Sequence, residues 1–151
     1  WLVKSAIKSL GRLTHRGAIA ADGKTGDGCG LLLKKPDRFL RALAEEEGLR
    51  LGSVYAVGMV FLNHDAERAL ASQSQLENEL RREGLDVAGW RRVPVNPEAC
   101  GAEALKTLPR IEQIFVSAPP GMSEDQFNRQ CSRFYRRQRQ RPPRVGHRRN
   151  L

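Results

Sequence analysis

The stretch from His15 to Leu33 carries five glycines, at 17, 23, 26, 28 and 30, and no proline. Its backbone can therefore turn left-handed and come close to a neighbour or a ligand. Such composition predicts a functional loop. The apolar run Leu31–Leu33 follows it, with Gly30–Leu33 reading as a short buried strand, so the loop is delivered onto rigid structure.

Three kinds of chemistry can be tested on this loop. Gly23-Lys24-Thr25 matches the end of a phosphate loop, but Gly17 leaves five residues before Gly23 where that pattern needs four. A helix also precedes the segment where a strand is required. A calcium loop starting at Asp22 would place its bidentate Glu at Leu33, which fails. Cys29 could be a nucleophile with His15 as base. A small buried residue beside packed glycines is the simpler account of it.

Length and composition narrow the class. The chain has 151 residues, 40% of them hydrophobic, which suits one soluble domain with a real core. No apolar run is long enough to span a bilayer, and residues 1–10 lack the pattern of a signal peptide, so the sequence reads as cytoplasmic. The net charge is +9, yet nine arginines lie between 129 and 151 with no acid among them. Removing those nine from 26 basic residues leaves 17, equal to the 17 acids, so residues 1–128 are formally neutral. A folded surface built to bind nucleic acid would carry the excess itself. The three cysteines form neither a disulfide framework nor a C-x-x-C pair, and His15, His64 and His147 lack metal-ligand spacing.

Along the chain, apolar residues at 2, 3, 6, 7, 10 and 13 predict an amphipathic helix ahead of the loop. Pro36 opens a helix from Asp37 to about Glu47, closed by Gly48. Ser53–Leu62 is nearly all apolar and predicts a central strand covered on both faces. Asp65 caps a helix over Ala66–Glu83, ended by Gly84. Leu85–Val95 and Ile111–Ala118 read as strands, with a short helix or turn over Cys100–Leu108 between them. Ser123 and Gln126 form a capping box for a last helix. The outline is four strands interleaved with helices. From Arg129 the helical pattern fails, and 129–151 is expected to be an Arg-rich, disordered tail beside a folded domain of 1–128.

One resemblance joins these features. His15-Arg16-Gly17-Ala18, then Ala21-Asp22-Gly23-Lys24-Thr25-Gly26-Asp27-Gly28, then Gly30 and Leu32, resemble the first motif of the glutaminase domain of glutamate synthase large subunits. Later segments keep the same order: Gly89-Trp90-Arg91 with Val93-Pro94-Val95, Gly101 and Ala104, and Pro109-Arg110-Ile111-Glu112-Gln113-Ile114-Phe115-Val116. The resemblance covers roughly residues 1 to 128. It implies a class II glutamine amidotransferase of α+β class, with part of the amino-terminal-nucleophile hydrolase fold, an αββα sandwich of antiparallel sheets flanked by helices.

The activity so implied is attack of an amino-terminal cysteine on the side-chain amide of glutamine, through a thioester, releasing ammonia that converts 2-oxoglutarate into glutamate elsewhere in the enzyme. In the family that synthase site uses FMN and an iron–sulfur cluster. Its electrons come from NADPH through a small subunit, or from ferredoxin. None of these cofactors is expected in this chain. The resemblance carries over as pocket support Arg16, which in the family lies beside the nucleophile, and Gly17, Asp22, Thr25, Gly26, Asp27 and Gly28. It carries over no catalytic residue and no metal ligand, because the family's cysteine lies ahead of the helix that opens here at Trp1, and its carboxylate-binding Arg and Asn-Gly oxyanion hole come from later segments. Cys29 stands where the family has Ala.

The expectation is therefore a glutaminase domain incomplete at both ends and inactive alone, with an Arg-rich end of the kind a shifted reading frame produces. The alternative is a non-catalytic module that binds nucleic acid through the arginines of the tail.

Overall fold

In the computed structural model the described residues are 1–13, 17–26, 30 and 32–140, with side chains to 138. They form one three-stranded antiparallel sheet in the order β1–β3–β2, from β1 (Tyr55–Leu62), β2 (Asp86–Arg92) and β3 (Arg110–Ser117). The helices are α1 (Leu2–Gly11), α2 (Asp37–Glu46), α3 (Ala66–Arg82), α4 (Ala102–Lys106) and α5 (Glu124–Gln140). This is an α+β arrangement, a small antiparallel sheet flanked by helices.

Local chemistry explains most boundaries. The Asp65 carboxylate accepts from the Arg68 N–H and caps α3. Ser123 and Gln126 each accept from the other's backbone N–H, which makes the expected capping box for α5. Helices α2 and α3 end alike, on Gly48 and Gly84 at positive φ, after which the N–H of Leu49 returns to the Ala44 carbonyl and that of Leu85 to Leu80. Glycine takes that left-handed turn at no steric cost, and the leucine that follows is folded back over the helix end.

The strand period of two sorts β3 onto two faces. Ile114 and Val116 point toward α3 and α5, where they form the main core with Leu80, Leu85 and Phe127. Phe115 and Ser117 point the other way, toward α2. There the Tyr55 hydroxyl donates to the Asp37 carboxylate, Lys35 and Arg41 lie over the Tyr55 ring, and Arg91 pairs with Glu47. Glu112, 2% exposed in the middle strand, accepts from Gln73 of α3 and from Arg110, so its buried charge is matched.

Three expectations are corrected. Residues 30, 32 and 33 are not in a strand, and the described sheet has three strands, not four; this glycine-flanked run meets no ladder partner among the described residues. The apolar stretch ending at Leu62 is an edge strand, not the central one. Its Met59 and Phe61, 53% and 66% exposed, lie beyond the part of the sheet that α2 covers, and the alternating strand β3 is the middle one. Helix α1 forms as the periodicity predicts, yet none of its residues is buried. Finally, the helical pattern does not fail at Arg129: α5 continues to Gln140, because Phe127, Cys131 and Phe134 recur at helical spacing and stay against the core. Residues 141–151 lie outside the described residues.

Candidate glutamine-pocket wall

The described part of the glycine loop is a small hairpin. Ile19 and Gly26 form an antiparallel bridge, the Ala20 N–H donates to the Thr25 carbonyl at 2.7 Å, and the Gly23 N–H donates to Ala20 at 3.0 Å. Gly26 fits closely, since a Cβ there would lie 3.2 Å from the Ala18 carbonyl oxygen. Inside the turn the Asp22 carboxylate gathers the free donors. Its Oδ1 accepts from the N–H groups of Lys24 (3.0 Å) and Thr25 (2.7 Å), and its Oδ2 accepts from the Thr25 hydroxyl at 2.6 Å. An Asp that bonds backbone two and three residues on is the ordinary way such a turn is fixed.

The turn does not stand alone. Asp22 Oδ2 also accepts from the Glu103 N–H at 3.1 Å, and Thr25 Oγ1 accepts from the Ala104 N–H at 3.3 Å. Both donors belong to the first turn of α4, whose N-terminal N–H groups have no partner within the helix. Two residues about eighty positions upstream therefore cap α4. These bonds, above all that from the Thr25 hydroxyl, hold the Asp22 carboxyl far below the usual carboxylate range. A carboxylate so stabilised is a poor proton acceptor, so the geometry makes Asp22 a fixed acceptor and not a general base.

Of the residues carried over as pocket support, Asp22, Thr25 and Gly26 are drawn together in this turn, and Gly17 lies at its approach. Arg16, Asp27 and Gly28 lie outside the described residues, as do His15 and Cys29. Glu103, whose N–H completes the set, carries no signal of this role in the sequence. Gly101 and Ala104 were visible only as isolated matches within the resemblance. The signal that finds them is the pairing of an Asp-x-x-Thr turn with a helix that has no side-chain cap of its own.

Other polar groups are spent on structure. Trp90 Nε1 donates to Glu77 at 2.8 Å, and His64 bonds the Leu108 carbonyl. No group of three or more His, Cys, Asp or Glu able to hold a metal occurs among the described residues. Among them, too, no helix is long and apolar enough to cross a membrane.

Comparison with known proteins agrees with the geometry. The family model of the class-II glutamine amidotransferases matches residues 1–148, so the match takes in most of the Arg-rich end. The chain is 40% identical over 134 residues to ferredoxin-dependent glutamate synthase 2 of Synechocystis sp., covering 85% of this chain and 8% of that protein. It is 36% and 39% identical to the glutamate synthase [NADPH] large chains of Bacillus subtilis and Azospirillum brasilense, covering 82% and 83% of this chain and 8% of each relative. The chain thus spans about 8% of the length of the curated relatives it matches. With its antiparallel sheet, its flanking helices and the glycine-loop motif closed on α4, the chain belongs to the class-II glutamine amidotransferases.

Proposed function

We propose that this chain is part of the glutaminase domain of a glutamate synthase large chain, and that its glycine loop forms a wall of the glutamine pocket. The observation that carries this is the closure of the Asp22–Thr25 turn on Glu103 and Ala104. It brings together in space two segments that the resemblance matches separately in sequence. The substrate is glutamine, and the ammonia released serves the synthase domains of the same protein, supplied with electrons by ferredoxin or by NADPH through a small subunit. In this reading the amidotransferase domain extends past residue 128 through α5, whose Cys131 and Phe134 pack against the core. Arg16, Asp27 and Gly28 are assigned to pocket support on the resemblance alone.

Asp22 and Thr25 act on glutamine only by holding the wall in place. No described residue takes the role of nucleophile, and we assign this chain no turnover by itself. The described residues do not fit the family's redox groups. They include no metal-ligating cluster. Two concave surfaces, one lined by Asn128, Arg129, Ser132, Arg133, Arg136 and Arg137 and the other by Arg91–Val95, Pro97 and Leu108–Ile111 with His64, present no Phe, Tyr or Trp to stack a flavin ring.

The test is a chimera in which this chain's residues 1–140, through the end of α5, replace the matched segment of the A. brasilense large chain. The expected result is retained formation of glutamate from glutamine and 2-oxoglutarate. Loss of that activity, with glutamate formation from supplied ammonia intact, would contradict the proposal, because ammonia bypasses the glutamine site alone. A second assay tests the absence of turnover. If the full chain released glutamate from glutamine above a heat-killed control, and lost this on Cys29→Ala, the nucleophile would lie in this loop.

A further inference from the structure

We infer that α4 is a positioning element of the glutamine pocket, locked to the Ala20–Thr25 turn so that the two move as one body. This rests on the pocket reading given above and extends the wall to a segment that follows β2 in the chain. Two independent observations support it.

The first is the bonding. Asp22 Oδ2 lies between the Thr25 hydroxyl and the Glu103 N–H, while Thr25 Oγ1 donates to Asp22 and accepts from Ala104. Each of these two side chains thus bonds at once within the turn and across to α4. Neither can release the helix without also loosening the turn.

The second is the space at Gly101, the residue just before α4. A Cβ there would lie 2.2 Å from Thr25 Oγ1, 2.5 Å from Thr25 N and 2.6 Å from Asp22 Oδ2. Gly101 is buried at φ −74°, a conformation open to any residue, so its backbone does not demand glycine. The close approach of the turn does. The obstacles are a backbone nitrogen and two side-chain atoms already bonded, none of them the free end of a long chain that could swing aside. A side chain at 101 would have to part the turn from α4.

The inference is tested on the full chain by amide hydrogen exchange read by NMR, with Thr25→Val, Thr25→Ser and Gly101→Ala. Losing one hydrogen bond of this kind corresponds to an acceleration of about fivefold. In Thr25→Val the amides of Thr25, Glu103 and Ala104 are expected to speed up together by about that factor. Thr25→Ser, which keeps the hydroxyl, restores them, and Gly101→Ala reproduces the Val effect without removing a polar group. Unchanged exchange at Glu103 and Ala104 in both Thr25→Val and Gly101→Ala would overturn the inference. In the chimera the same Thr25→Val raises the KM for glutamine about fivefold, with ammonia-dependent turnover unchanged and Thr25→Ser restoring the KM. An unchanged KM there would also overturn it. A chimera that fails with glutamine in its unsubstituted form speaks against the pocket reading, and the exchange data still decide whether turn and helix are one body.

Discussion

Gly89 lies at the bulge in β2, where the pairing with β3 shifts between Val87 and Gly89. Its φ of +151° is a conformation side chains rarely adopt, and a Cβ there would lie 2.5 Å from Leu49 Cδ2 and 3.3 Å from Leu49 Cδ1. Gly89→Ala therefore meets two separate penalties. The backbone penalty is about 1–3 kcal/mol. The steric one is also about 1–3 kcal/mol, because half-buried Leu49 must turn its terminal methyls away and give up part of its packing. Together they predict a loss of about 2–6 kcal/mol, a large fraction of a small domain's stability. Urea unfolding followed by tryptophan fluorescence measures it, Trp90 being next to the substitution. The two penalties separate in a double-mutant cycle with Leu49→Ala, which removes the clash and leaves the backbone strain. The combined variant should then lose less than the sum of the two single losses, by about the steric share of 1–3 kcal/mol. A Gly89→Ala protein within about 0.5 kcal/mol of the parent would refute the account of the bulge.

Phe127, 2% exposed, packs into the cluster of Leu80, Leu85, Ile114 and Val116, and Phe127→Ala should cost about 3–5 kcal/mol in the same urea experiment. Asp22 and Asp37 both titrate below the usual carboxylate range, Asp22 chiefly through the Thr25 hydroxyl and Asp37 chiefly through the Tyr55 hydroxyl. Their folded forms hold the proton less tightly than the unfolded chain, so their contribution is complete above the unfolded value of about 4 and is lost as pH falls below it. The Asp22→Asn, Asp37→Asn double variant should accordingly lose less stability than the parent between about pH 5 and about pH 3, and equal losses would contradict the assignment.

The helices were the most legible part of the sequence because their signals are local. Asp65 before Ala66, Ser123 with Gln126, and Gly48 and Gly84 at the ends each act within one turn of chain, and the structure uses all of them. The order of strands was less legible. Tyr55–Leu62 is nearly continuous in apolar residues and reads as doubly covered, yet whether a strand is central depends on partners far away in sequence. The alternating β3 holds the centre with its one buried charge, Glu112, matched by Gln73 and Arg110. The full length of the last helix is hard to read because arginines at 129, 133, 136 and 137 hide a sparse stripe of Phe127, Cys131 and Phe134. In the site, Asp22 and Thr25 were legible as residue types. Their partners Gly101, Glu103 and Ala104 were not, since a backbone N–H offers no side-chain signature.

The central claim, that the glycine loop walls a glutamine pocket, is tested most directly by titrating the full chain with L-glutamine and following its amide resonances. The account predicts saturable shifts at residues 17–26, accompanied by those of Glu103 and Ala104, and none of comparable size with L-asparagine. The absence of any saturable shift up to about 10 mM glutamine, an affinity threshold of roughly −3 kcal/mol, or saturable shifts confined to residues outside the turn and α4, would contradict it.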